Sequence, residues 1–459
     1  MSQNSFSDLG VPAKIVTVLT NQGIDSAFPI QVDTLPDTLA GKDVLGRGKT
    51  GSGKTLAFSI PMVARLAATG NTNERRPRGL VLAPTRELAT QITNTLQPIA
   101  QAMNLRVTTI FGGVSQQKQV QAIRNGVEII VATPGRLEDL MAQGILKLDA
   151  IEITVLDEAD HMADLGFLPG VTRIMNATPK TGQRLMFSAT LDNGVNKLVD
   201  RFLNNQVMHS VDEANSPVAQ MTHHVFEAPD AEAKKLLVQA LASGTGKRIL
   251  FMRTKHHAKK LTKALTQAGI PAVDLHGNLS QPARDRNLAA FSEGTVRVLV
   301  ATDVAARGVH VDGVDLVIHV DPPAEHKAYL HRSGRTARAG AEGDVITICL
   351  PEQRRDLADL LRKAMITVTP IRVTATSPQV VELIGEVAEY VKPQAVAPQP
   401  QGGGTSNGRN AQRKRAMKES GRPGAVSSSR GPRPQGQATN SDRAPRPAGS
   451  GSRNRQRTR

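Results

Sequence analysis

The stretch Gly48-Lys49-Thr50-Gly51-Ser52-Gly53-Lys54-Thr55 constrains this chain more than any other. It closely follows the short apolar Asp43-Val44-Leu45 and precedes the apolar helical start Leu56-Ala57-Phe58, the strand, loop and helix order of a phosphate-binding P-loop. Glycines let backbone N–H groups approach phosphate oxygens. Lys54 brings positive charge near the β and γ phosphates, and the Thr55 hydroxyl suits a Mg²⁺ ligand. Thr50, Gly51, Ser52 and Gly53 complete the expected nucleotide cradle.

The rest of the chain agrees with such a loop at the edge of a parallel sheet. Apolar runs ending in Gly, Pro, Thr or Asp recur: Leu80-Val81-Leu82-Ala83, Ile129-Ile130-Val131-Ala132, Ile153-Thr154-Val155-Leu156 and Leu185-Met186-Phe187. They read as buried parallel strands. A second series follows, Ile249-Leu250-Phe251, Val298-Leu299-Val300-Ala301, Leu316-Val317-Ile318 and Val345-Ile346-Thr347-Ile348, interleaved with helical stretches such as Ala258 to Ala268. Strands alternating with helices predict an α/β chain with a doubly wound sheet in each half.

The polar Ser210-Val211-Asp212-Glu213-Ala214-Asn215-Ser216-Pro217 suits an inter-domain linker. The expected organisation is a first domain over 1–208, a linker over 209–219, a second domain over 220–368, an extension over 369–393 and a tail over 394–459. Between Gln401 and Arg459 fourteen Lys or Arg stand against two acids, Glu419 and Asp442, so this stretch carries +12 of the net +16. No aromatic residue follows Tyr390, and a segment of Gly, Pro, Ser, Asn and Arg buries too little apolar surface to fold alone. The single cysteine, Cys349, excludes an internal disulfide framework and reads as a small core residue. No apolar run approaches the roughly 20 residues of a membrane span, and the expectation is a soluble, cytoplasmic protein.

Directly after the strand at Ile153 to Leu156 stand Asp157-Glu158-Ala159-Asp160. Ligands of open α/β sheets sit at the carboxyl ends of strands, so these acids should face the P-loop. Asp157 then orients the metal, and Glu158 polarises the water that attacks the γ-phosphate.

Asp-Glu-Ala-Asp is also the name-giving motif of DEAD-box RNA helicases, and the chain resembles that family across about residues 23 to 340. Pro84-Thr85-Arg86-Glu87-Leu88-Ala89, Gly112-Gly113, Thr133-Pro134-Gly135-Arg136 and Ser188-Ala189-Thr190 match in the first half. Gln281-Pro282-Ala283-Arg284, Thr302-Asp303, Ala306-Arg307-Gly308 and His331-Arg332-Ser333-Gly334-Arg335-Thr336-Ala337-Arg338 match in the second, in family order. The resemblance implies two tandem RecA-like domains that close around ATP, Mg²⁺ and one RNA strand. Phe28-Pro29-Ile30-Gln31 resembles the adenine-reading Q motif, with Gln31 able to donate to and accept from one adenine edge; Ile24 and Ala27 depart from the usual aromatic and proline.

By the same resemblance Arg335 and Arg338 stabilise charge on the transferring phosphoryl group, with Lys54 and Glu158 as their catalytic partners. The i, i+4, i+7 spacing of His331, Arg335 and Arg338 predicts one helical face. His331 should couple to Asp160, Ser188 and Thr190 of the other domain. Gly308 belongs to the nucleotide site, as does His310, which replaces a usual Asp and predicts weaker or pH-sensitive ribose contact. Thr85, Arg86, Gly113, Thr133, Gly135, Arg136, Arg284 and Thr302 match positions that hold the RNA backbone, contacts that position a strand without reading its bases. The tail reads as a sequence-tolerant RNA tether. The expected activity is RNA-stimulated ATP hydrolysis that separates short duplexes, similar to RhlE-type bacterial helicases, with ribosomal or RNA-degradation proteins as partners. An ATP-gated RNA clamp with little unwinding, or a DNA translocase on the same two-domain plan, are the competing readings.

Overall fold

The computed structural model describes residues 5–48, 51–70, 76–191, 193–211, 221–306, 311, 313–337 and 342–393. Thr50, Gly308, His310, Arg338 and the tail from 394 therefore lie outside the described residues.

The first half builds a seven-stranded sheet from β1 (Val44–Arg47), β2 (Gly79–Leu82), β3 (Val107–Ile110), β4 (Ile129–Ala132), β5 (Ile153–Leu156), β6 (Gln183–Ser188) and β7 (Val207–Ser210). Its order is β3-β4-β2-β5-β6-β1-β7, and every pairing is parallel. The second half repeats the plan with β8 (Met221–Glu227), β9 (Lys247–Met252), β10 (Ala272–Leu275), β11 (Val298–Thr302), β12 (Val314–His319), β13 (Gly343–Cys349) and β14 (Ile371–Arg372). The order there is β10-β11-β9-β12-β13-β8-β14, again all parallel.

Alternate residues of each central strand enter opposite cores, which is why these strands read as continuous apolar runs. In the first sheet Val81, Val131, Val155 and Leu185 pack against the helices of one face. Leu80, Leu82, Ile130, Leu156 and Met186 pack against those of the other. Leu250, Val300 and Ile318 divide from Ile249, Leu299 and Val317 in the same way in the second sheet. Cys349 is buried beside Tyr329, Leu357 and Leu361, as a core residue.

Two expected boundaries move. His209 and Ser210 are the last rungs of β7 against Gly46 and Arg47, so the linker cannot begin at 209. The polar composition there reflects an edge strand with one exposed face. The segment after 368 is no appendage either. β14 extends the second sheet beside β8, while Val373, together with Val380 and Ile384 of the helix Pro378–Ile384, joins its core. No helix among the described residues is long and apolar enough to cross a membrane.

Candidate nucleotide and RNA site

The described site residues lie mostly at carboxyl ends of parallel strands, where strand ends and helix starts expose polar backbone. After β1 the chain turns into the helix Lys54–Ala68, with Gly51 and Gly53 both at φ 88. Gly53 is required for space as well as conformation: a Cβ there would come within 2.5 Å of Gln31 Nε2 and of the Phe28 ring. Lys54 Nζ donates to Gly48 O at 2.6 Å, which folds the lysine back over the loop. The buried Ser52 hydroxyl has no hydrogen-bond partner among the described residues. An orphan donor inside a glycine cradle fits a triphosphate oxygen.

Gln31, 1% exposed, ties the adenine region to the loop: its Oε1 accepts from Phe28 N at 2.9 Å and its Nε2 donates to Gly53 O at 2.9 Å. One lone pair and one N–H remain on the amide for a base edge. Ile24, where an aromatic is usual, packs partly buried against the first core.

Asp157 leaves β5 with its carboxyl buried. Burial pushes it up to about 7, helped by the neighbouring charges of Glu158 and Asp160 and opposed by Lys54. A carboxylate crowded in this way fits a divalent cation, whose charge would restore ionisation, and Thr55 stands one residue past Lys54 to share it. Protein carboxylates usually supply Mg²⁺ with only one or two ligands, the phosphates and water providing the rest.

Glu158 adopts the left-handed conformation, φ 49 and ψ 53, rare for a side chain with a Cβ. Burial would raise its carboxyl, but the hydrogen bond and charge of His161, then Arg335 and Lys54, outweigh it and hold Glu158 down to about 2. The opposite shifts separate two neighbouring carboxyls into different roles.

Asp160 joins two motifs: its Oδ2 accepts from Thr190 N and from Thr190 Oγ1, each at 2.9 Å. Asp160 N donates to Ser188 Oγ at 3.2 Å, and Gly48 N donates to Ser188 O at 3.1 Å, so P-loop, acids and Ser188-Ala189-Thr190 form one network.

The second domain enters from the helix His326–Ser333. The predicted helical face does not run continuously from His331 to Arg335, and Arg338 lies outside the described residues. That helix ends at Ser333 with Gly334 as its cap, and Thr336 Oγ1 donates to Val314 O, drawing the following turn onto β12. The turn still carries Arg335, buried, close enough for its charge to act on Glu158. His331 stands with its ring centroid 6.5 Å from that of His161, the neighbour of Asp160.

The expected RNA residues divide in two. Thr85 caps the helix Arg86–Ala102, its Oγ1 accepting from Leu88 N, and Thr133 and Gly135 start the helix Pro134–Ala142 after β4. Arg136 donates to Val114 O at 3.3 Å, and Gly113, at φ 77, lies so close to the Arg86 guanidinium that a Cβ would collide with it. Thr302 ends β11. Arg284 is the exception: it is buried, donating to Glu87 Oε1 at 2.6 Å and to the carbonyls of His276 and Ala305. Gln281 donates to the same Glu87 oxygen and accepts from Arg86 at 3.1 Å. These contacts form a bridge between the domains, and they commit most of the Arg284 guanidinium to it.

The family description "DEAD/DEAH box helicase" matches residues 28–198, and "Helicase conserved C-terminal domain" matches 232–340. The DEAD-box ATP-dependent RNA helicase CshA of Geobacillus kaustophilus is 36% identical over 350 residues, covering 76% of this chain and 74% of the relative. The chain belongs to the DEAD-box ATP-dependent RNA helicases. This helicase is also 35% identical to the RNA helicase CrhR of Synechocystis, over 78% of its own length and 72% of the relative's. Among solved structures it is similar to S. cerevisiae Dbp5 bound to RNA and ADP BeF3, with TM-score 0.73, 27% identity, and 83% and 100% of the two chains covered. It is similar too to Mss116p bound to ssRNA and AMP-PNP, with TM-score 0.72, 25% identity, and 84% and 83% covered. The two tandem parallel-sheet domains of the helicase are thus the RecA-like pair of its family.

Within the helicase, sequence reasoning overlooked His161, Glu87 and Gln281 as site residues. The last two stand inside quoted motifs, yet a motif does not say which residue faces the other domain. His161 lies one position past the acidic motif, and only its contacts with Glu158 and His331 single it out.

Proposed function

We propose that this ATP-dependent RNA helicase hydrolyses ATP at a site shared by its two domains, and that RNA favours the arrangement in which the site is complete. The observation that carries this reading is the contact of the two domains beside the acids: the His331 ring centroid of the second stands 6.5 Å from that of His161, which pairs with Glu158, and Arg284 donates to Glu87 at 2.6 Å. Lys54 and the loop amides hold the β and γ phosphates, while Gln31 presents its amide to adenine. Thr55 and Asp157 would hold Mg²⁺, which when bound neutralises charge on the phosphate oxygens. Glu158, ionised, accepts a proton as water attacks the γ-phosphorus and the bond to the bridging β–γ oxygen breaks, with Arg335, and Arg338 by its motif, stabilising the outgoing charge.

Thr85, Arg86, Gly113, Thr133, Gly135, Arg136 and Thr302 line the strand ends where an RNA backbone would lie. Small residues and amides there suit recognition of backbone shape and 2′-OH groups over bases. Closure then bends one strand and separates a few base pairs, and linkage requires ATP to strengthen RNA binding in return. Cytoplasmic work on ribosome assembly or RNA turnover, alongside proteins of those processes, completes the proposal; the basic tail supports an RhlE-like assignment. Glu158→Gln is the test. ATP and RNA binding should persist while turnover is lost and the complex lasts longer, and normal turnover in that variant would remove the assigned base.

A further inference from the structure

We infer that His161 is a positioning residue for hydrolysis: it fixes the direction of the Glu158 carboxylate, and the His331 ring of the second domain stands near it. The inference rests on the reading of Glu158 as the base and adds a residue to it.

Three observations support it. The backbone of Glu158 is left-handed, a strained conformation that persists only where the surroundings impose it. The helix Ala159–Asp164 begins immediately after Glu158 and sets His161 three residues on, so the ring faces back along the helix. There its Nδ1 stands 3.0 Å from Glu158 Oε2, while His161 N donates to Asp160 Oδ1 at 3.0 Å and anchors the residue to the network of Thr190 and Ser188. With one carboxylate oxygen held, the direction of the other is set.

The third observation is the far side of the ring. His161 is buried, and its Nε2 has no hydrogen-bond partner among the described residues. A core histidine kept for packing normally satisfies both ring nitrogens. Here the uncommitted edge belongs to a ring whose centroid is 6.5 Å from that of His331, across the domain boundary. The second domain therefore contributes a ring to the surroundings of the positioning group.

The test uses full-length protein with saturating single-stranded RNA and Mg·ATP. Asn places its amide nitrogen close to where Nδ1 stands, whereas Gln carries it one carbon further, beyond that position. His161→Asn should keep kcat within about threefold, while His161→Ala and His161→Gln lower it roughly 10- to 100-fold, the scale of a misplaced reacting group. KM for ATP and the melting temperature should stay put. In a Glu158→Gln background His161→Ala should add no further loss, since the group it positions is already gone.

Equal losses in the Asn, Gln and Ala variants would overturn the inference, as would wild-type kcat in all three or a change confined to KM. Should His161→Ala fail to fold, the contrast between Asn and Gln still decides. Normal turnover in Glu158→Gln alone would instead strike the base assignment, a result distinguishable from unaffected His161 variants with Glu158→Gln inactive.

Discussion

Removing Arg284 with alanine would leave the Glu87 carboxylate facing a buried boundary with only Gln281 Nε2, 3.3 Å away, as a donor from the other domain among the described residues. Breaking one partner of a buried ion pair costs about 3–5 kcal/mol, because the remaining charge stays desolvated. Here the chain has an escape, since parting the domains rehydrates Glu87, so the cost falls on the closed state alone. The remaining hydrogen bond from Gln281 returns roughly 1 kcal/mol. About 2–4 kcal/mol is left against closure, which at 1.4 kcal/mol per decade weakens closed-state RNA binding roughly 30- to 700-fold. Fluorescence anisotropy with a labelled single-stranded RNA measures it, with and without a non-hydrolysable ATP analogue. The analogue-dependent affinity should fall by that factor while the nucleotide-free affinity holds. Glu87→Gln, which leaves the second domain untouched, should move affinity in the same direction. Equal loss with and without nucleotide would show that Arg284 grips RNA directly and would refute the bridge.

Without nucleotide and with Mg²⁺ chelated, Asp157 sets a pH signature. Between the ordinary carboxyl range and about 7 the folded chain keeps a proton that the unfolded chain has lost, so this group's contribution to stability falls as pH rises through that window and levels off above it. Melting temperatures from pH 5 to 8 should show this slope in the wild type and its loss in Asp157→Asn; identical profiles would count against the buried carboxyl. Deleting residues after 400 removes most of the excess positive charge and should flatten the log–log salt dependence of RNA binding by about 0.7 per lost phosphate contact, with an unchanged slope rejecting the tether. His310→Asp should lower the KM for ATP and reduce its pH dependence, and steady-state kinetics showing no change would dismiss a ribose role for His310.

Much of this was legible in the chain because burial on both faces of a parallel sheet writes uninterrupted apolar runs, and phosphate chemistry demands fixed spacing. The central strands, the loop at Gly48 to Thr55 and the acids at Asp157 to Asp160 follow from those two causes. Edge strands did not show: β3, β7, β10 and β14 are partly exposed, so their residues mix polar and apolar types and write no uninterrupted apolar run. The helical-face reading of His331 and Arg335 failed because spacing alone does not reveal that a helix stops at Ser333. The sequence by itself determined which chemistry is available: a lysine, a hydroxyl, paired carboxylates and arginines in a fixed order. Only the tertiary structure decided which partners meet, pairing His161 with Glu158 and Arg284 with Glu87, because contacts between residues far apart in the chain, or between side chains bending back along a helix, depend on packing that no local pattern encodes.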